Sequence, residues 1–164
     1  MSERPSVSIV IPMFNEEENI EHAITCAAEA LRRHASDFEI LVIDDGSSAG
    51  SAALVTSIVA RNSKVRLLRH ERNRRLGATL RTGFAAARMD LALYMDADLP
   101  FDPDVLGRAI RALEVTRADV IAGSLSVSAG GTSTPTASST AVGFSIVGVA
   151  GVSTSASDTT NVNA

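Results

Sequence analysis

The chain of 164 residues is poor in several things, and each shortage removes a class of protein. It has one cysteine, Cys26, which cannot close an internal disulfide, so a reducing, cytoplasmic home is expected. Set in the apolar helical pattern "AITCAAEAL", Cys26 is read as a small packing residue rather than a reactive thiol. No apolar run approaches the roughly 18 residues of a membrane span; "VGFSIVGVAGV" has 11. The start, "MSERPS", is polar and shows no sign of a secretory leader. Positive charge is also scarce. A net charge of -4 argues against nucleic acid as a partner, because phosphate-backbone binding rests on an excess of Lys and Arg. The sequence has no G-x-x-x-x-G-K-[ST], no G-x-G-x-x-G and no G-x-S-x-G, and His22, His34 and His70 lack metal-site spacing.

What is present falls into two unlike parts. All 15 Lys and Arg residues lie at or before Arg117, and from Ser124 onward the only charged side chain is Asp158. "SVSAGGTSTPTASSTA" has neither helical nor strand periodicity, so residues 124–164 are expected to be a low-complexity, disordered tail. "FSIVGVAGVSTSAS" could form a strand or an aggregation-prone segment, but it has too few large apolar groups for an independent fold. A break this abrupt also fits a changed reading frame or a cut near Ser124.

Residues 6–123 alternate between strand and helix patterns. "SVSIVIPMF", "FEILVIDDG", "KVRLLRH", "LALYM" and "ADVIAGS" are strand-like, and helical patterns fill the intervals between them. Asn15 is the expected N-cap of the first helix, whose acids lead and whose Arg32, Arg33 and His34 close it. Asp102 with Pro103 should open the last helix. The pattern predicts an α/β fold with a mostly parallel sheet and right-handed crossovers.

Open parallel sheets bind ligands beyond the carboxyl ends of their strands. Three strand ends here are polar: "PMFNEEEN", "DDGSS" and "DADLP". At the first, Glu16, Glu17 and Glu18 are read as solvated first-turn acids, with Glu16 the one to retain as a contact. At the second, Asp44 and Asp45 either cap a turn or accept hydrogen bonds from a base or ribose. At the third, Asp96 and Asp98 stand two apart, so in extended chain they project to one side. Oxygen ligands so placed suit Mg2+ or Mn2+ shared with a substrate diphosphate. The basic stretch "RHERNRRLGATLRTG" is either a solvated surface or a source of cations for such a ligand.

Four segments in order, "VSIVIPMFNEEENI", "EILVIDDGSSAGS", "NRRLGATLRTGF" and "LALYMDADLPFDPDVL", resemble the motifs of family 2 glycosyltransferases with the GT-A fold. Within that family the likeness is to dolichol- or polyprenyl-phosphate mannosyl- and glucosyltransferases. It covers residues 6–123, a Rossmann-like nucleotide-binding half. The resemblance implies nucleotide contacts at Pro12, Phe14, Glu16, Ile43, Asp45, Asp96 and Ala97, and a metal-binding D-x-D at Asp96 and Asp98. Phe14 stands where Tyr is usual, Ala49 where an acid is, Arg75 where Gly is, and Pro100 where a Gln-like group is. The family's arginine-bearing loop and acceptor half are not recognisable after Gly123.

The implied activity is an inverting hexosyl transfer from a UDP- or GDP-hexose. It uses a divalent metal, and the expected acceptor is a polyprenyl phosphate at the cytoplasmic face of a membrane. The alternative is a catalytically inactive nucleotide-sugar-binding fragment that lacks the acceptor half. A phosphatase with Asp96 as nucleophile fits less well, because its D-x-D-x-[TV] motif would need Thr or Val at Pro100 and a place on the first strand. Donor base, sugar, acceptor and oligomeric state are not fixed by the sequence.

Overall fold

Where β-branched residues cluster the chain forms strands, and where apolar residues recur every three or four positions it forms helices. The computed structural model describes residues 4–98, 103–116, 120–121 and 148–150. In chain order these give β1 (Val7–Met13), α1 (Ile20–His34), β2 (Phe38–Asp44), α2 (Ala49–Arg61), β3 (Val65–Arg69) and α3 (Arg75–Ala86). Next come β4 (Leu91–Tyr94), α4 (Pro103–Thr116), β5 (Val120–Ile121) and β6 (Gly148–Ala150). The sheet order is β3-β2-β1-β4-β6-β5. β1 pairs in parallel with β2 and β4, and β2 with β3. The strand order therefore reverses at β1, which opens a crevice between the ends of β1 and β4.

The two faces of the sheet are unequal. On one, Ile9, Ile11 and Met13 of β1, Ile40 and Val42 of β2, and Leu91 and Leu93 of β4 join a large core with α1, α2 and α4. The α1 contribution, Ile20, Ala23, Ile24, Ala27 and Leu31, is one helical stripe. On the other face Val10, Leu41 and Ile43 form a smaller cluster beneath Leu80 and Phe84 of α3. Strand alternation sorts these sets, and it also decides which polar residue faces which way at the strand ends. On the α3 side an acid is buried with its partners: Glu39 accepts from Ser8 Oγ at 2.9 Å, Arg66 Nη1 at 2.7 Å and the Arg88 N–H at 2.8 Å. Burial pushes the Glu39 carboxyl up, but these donors outweigh it and hold it below the usual range.

Two expectations change. Asn15 does not cap α1, which begins at Ile20 behind Asn19. Asn15 instead takes a left-handed turn, φ 58°, and its Oδ1 accepts the Ser48 N–H at 2.8 Å, at the start of α2. A short polar side chain tolerates that conformation and can cap a neighbouring helix as well as its own. Secondly, Gly148–Ala150 of the expected tail does join the sheet, antiparallel to both β4 and β5. The rest of 124–164, together with Pro100 and Asp102, lies outside the described residues.

Candidate functional site

Beyond the carboxyl ends of β1, β2 and β4, on the α3 side, the chain leaves an open cleft of about 210 Å³. It is lined by Pro12, Met13, Phe14, Glu16, Asp45, Asn73, Arg75, Leu76, Thr79, Asp96, Ala97 and Asp98. Seven of the eight residues singled out from the sequence meet here. The exception is Ile43. It faces the same side as Asp45 but two residues earlier, so it is fully buried with Val10 and Leu41 beneath α3 and does not line the cleft.

The wall after β1 is Pro12–Glu16, with the Phe14 ring exposed at the rim. Glu16 Oε2 accepts from Asn19 Nδ2 at 2.9 Å. Glu17 proves to be structural. Its Oε1 accepts from Ser48 Oγ at 2.8 Å and from the Ser51 N–H at 3.1 Å, so it caps α2 from another loop. These bonds hold its carboxyl below the ordinary range. Gly50 permits the approach, since a Cβ there would lie 2.5 Å from Glu17 Oε1.

At the end of β2 the two acids diverge. Asp44 turns to the large core, where Oδ1 accepts the Ser47 N–H at 2.8 Å and Oδ2 lies 3.1 Å from Arg69 Nε in an unaligned ion pair. Asp45 turns to the α3 side and is 4% exposed. It meets His70 Nδ1 at 2.6 Å, and it accepts the backbone N–H groups of Arg74 at 2.9 Å and Arg75 at 2.7 Å. Burial pushes the Asp45 carboxyl up, but His70 and the two N–H donors more than offset this and leave it lowered. Asp45 thus fastens the loop before α3 to the end of β2. Gly46 completes the fit: its φ is +78°, and a Cβ would come within 2.9 Å of the Arg72 backbone.

At the end of β4 the acids are far freer. Tyr94, buried in the sheet, donates its hydroxyl to Asp96 Oδ1, two residues on. Burial and the neighbouring Asp96 and Asp98 carboxylates push the phenol far above its ordinary value, so it stays a neutral donor. The bond orients Asp96 and, among the described residues, leaves Oδ2 without a partner. Asp98 is exposed and has no hydrogen-bond or ion-pair partner among the described residues. Among those residues no group of three or more His, Cys, Asp or Glu is placed to hold a metal ion. Two carboxylates still fit Mg2+ or Mn2+ when substrate phosphates complete the shell, which is how such ions are usually held beside phosphates.

The sequence reading offered the stretch around α3 only as an alternative source of cations, and it missed Asn73, Leu76, Thr79 and the role of Tyr94. Asn73, Leu76 and Thr79 reach the cleft only because Asp45 anchors the loop before them, a long-range contact no local pattern announces. Arg75 carried a signal, an arginine where the resembled family has glycine, and it takes the backbone conformation a glycine would favour, φ 68°.

The model of a family described as "Glycosyl transferase family 2" matches residues 8–154. Among solved structures, a mannosyltransferase from Pyrobaculum calidifontis in complex with GDP-Man and Mn2+ matches at TM-score 0.61 and 23% identity, over 68% of this chain and 33% of that one. The 1–349 portion of S. aureus TarS matches at TM-score 0.59 and 20% identity, over 70% of this chain and 34% of that one. Its complex with UDP-GlcNAc gives 0.58 and 21%, over 70% and 33%. The chain spans about a third of the length of these structures. At such identities the likeness is one of fold.

Proposed function

Since the chain belongs to glycosyl transferase family 2, we propose that the cleft binds the nucleoside diphosphate of a nucleotide sugar and that the sugar is transferred from it with inversion. The observation that carries this reading is the convergence of Pro12, Phe14, Glu16, Asp45 and Asp96–Asp98 on one cleft at the point where the strand order reverses. The nucleotide sugars held by the structural neighbours, GDP-Man and UDP-GlcNAc, support a nucleotide-sugar donor without favouring either base. In this reading the Phe14 ring and Pro12 flank the base, and Glu16 lies nearby as an acceptor. Asp45 keeps the floor of the site in place. Asp96, aimed by Tyr94, and Asp98 supply the carboxylates for Mg2+ or Mn2+. When bound, the ion would act as a Lewis acid toward the departing diphosphate.

The transfer itself joins an acceptor oxygen to the anomeric carbon from one face, while the bond from that carbon to the phosphate oxygen breaks on the other. A polyprenyl phosphate is the acceptor we propose, with the protein working at the cytoplasmic face of a membrane. Its phosphate is already anionic and needs little general-base help, so no further catalytic carboxylate is required. Among the described residues no helix is long and apolar enough to cross a membrane. A second reading, donor binding without transfer, is favoured by the cleft itself, where Arg75 is the one cation among the described lining residues.

A thermal-unfolding titration tests the donor site. GDP or UDP with Mn2+ at a hundred times the dissociation constant should stabilise the fold by about 2.7 kcal/mol, and the nucleotide without the ion by much less. No shift with either nucleotide at millimolar concentration would defeat the proposal. Turnover with polyprenyl phosphate then separates transfer from binding alone.

A further inference from the structure

Arg75 is the first residue of α3, and its backbone sits at φ 68°. For a residue with a Cβ this left-handed conformation is unfavourable, because Cβ crowds the following carbonyl; glycine adopts it freely. The strain is maintained from outside: the Arg75 N–H is held by Asp45 Oδ2 at 2.7 Å and by Asn73 Oδ1 at 3.0 Å. Asp45 is itself fixed by His70, whose Nε2 meets Thr82 Oγ1 at 2.9 Å. All of these anchors grip the backbone. A glycine would keep each of them and remove the strain, so nothing in the fold calls for an arginine.

The side chain has no such structural employment. Arg75 is exposed, and among the described residues its guanidinium has no hydrogen-bond or ion-pair partner. It is the one cation among the described residues that line the cleft, which Glu16, Asp96 and Asp98 line with their carboxylates. A strained residue whose backbone is over-determined and whose side chain is free points to a functional reason for its identity. We infer that Arg75 binds the diphosphate of the nucleotide sugar and discriminates for it, an inference that rests on the donor-site reading above. A guanidinium offers a planar fork of donors that matches two phosphate oxygens at once. It would share the diphosphate with whatever cation Asp96 and Asp98 hold, and so reduce the dependence of binding on that ion.

The test compares wild type with Arg75→Gly and Arg75→Lys for binding of a nucleoside diphosphate and of the matching nucleoside, by calorimetry, together with urea unfolding. Arg75→Gly is expected to weaken the diphosphate by about tenfold, the loss of one charge-assisted pair, with nucleoside binding and the unfolding midpoint no lower than in wild type. Arg75→Lys should fall between, since it keeps the charge but not the fork. If wild type binds no nucleoside diphosphate, the donor-site reading fails and takes this inference with it. If wild type binds and Arg75→Gly binds as well, Arg75 alone is misassigned. An equal loss for nucleoside and diphosphate also overturns the inference, because it reports a displaced loop rather than a missing cation.

Discussion

The ends of β2 and β4 look alike in sequence, each a hydrophobic strand running into two aspartates, yet the fold uses them in opposite ways. At β2 both acids are engaged by the chain itself. Asp44 is fully buried beside Arg69 and the Ser47 N–H, and Asp45 is held by His70 and two backbone N–H groups. At β4, among the described residues, Asp96 keeps one oxygen without a partner and the exposed Asp98 has none. A buried carboxylate that takes several donors from its own chain is a structural device, whereas one that is oriented but open keeps the capacity to accept from a ligand. The difference originates in the loop after β2. There Gly46 lets the chain pass close to residues 70–75, whose donors fold back over Asp45.

If this contrast is right, the largest effect on stability belongs to Asp45. Asp45→Ala leaves two N–H groups and a buried histidine without their acceptor, and should lower unfolding stability by about 3 kcal/mol. The loop at 70–75 should lose amide-exchange protection at the same time. Nucleotide binding would weaken too, but as a consequence of the loosened α3 start. Urea titration and hydrogen exchange of the same variant check both. A stable variant with weakened binding would instead make Asp45 a direct contact, as the sequence alone allowed.

Acidification is a milder way to strike the buried acids of β2, one at each end of the strand. Asp45 and Glu39 both have carboxyls lowered in the folded protein. A group whose folded pKa is depressed lends stability above its unfolded value, and that stability is lost as the pH falls through the folded one. Stability should therefore be level near neutrality and decline below about pH 4, the ordinary range for these acids. The loss attributable to Asp45 should be smaller than in Asp45→Ala, because a protonated carboxyl still accepts from Arg74 and Arg75. Urea midpoints measured from pH 7 to pH 3 should show this fall, with a shallower slope in Asp45→Ala. An unchanged slope in that variant would mean Asp45 is not among the titrating groups.

Much of this architecture was legible beforehand, because strands and helices of this kind announce themselves by period. β1 to β4 and α1 to α4 fall where the alternation of "SVSIVIPMF", "EEENIEHAITCAAEALRRH" and their successors puts them. Which of Asp44 and Asp45 faces α3, and that Asp96 and Asp98 share a side, is also implied by the two-residue repeat of a strand. What local pattern could not give was the occupation of those acids. Nothing near Asp45 in sequence indicates His70 or the N–H groups of residues 74 and 75, which lie 25 to 30 positions away. The same holds for Asn15 and Glu17, read as parts of α1 yet serving the start of α2 across more than 30 residues. Caps supplied in trans resemble ordinary first-turn residues until the fold is known. Strand β6 was allowed by "FSIVGVAGVSTSAS", but a three-residue strand of Gly, Val and Ala has too little apolar surface to announce which sheet edge it joins.

The smallest effects on stability should come from the end of β4, and they sharpen the contrast most. Asp98→Asn removes a charge that no described group balances, so the fold should change by no more than about 0.5 kcal/mol. Asp96→Asn weakens the bond that Tyr94 donates from within the sheet, which should cost about 1 kcal/mol. Both substitutions replace an anionic oxygen ligand with a neutral one, and both should remove the Mn2+-dependent part of nucleoside diphosphate binding. Stability and binding are thus expected to separate here, where at Asp45 they fall together. Tyr94→Phe provides an internal check: it frees Asp96 to rotate without altering its charge. Metal-dependent binding should weaken less than in Asp96→Asn, with affinity for the nucleotide alone unchanged. Calorimetry with and without Mn2+ decides the matter. Metal-dependent binding that persists in the double variant Asp96→Asn, Asp98→Asn would show that these two acids are not the ion's ligands, whatever the openness of their setting.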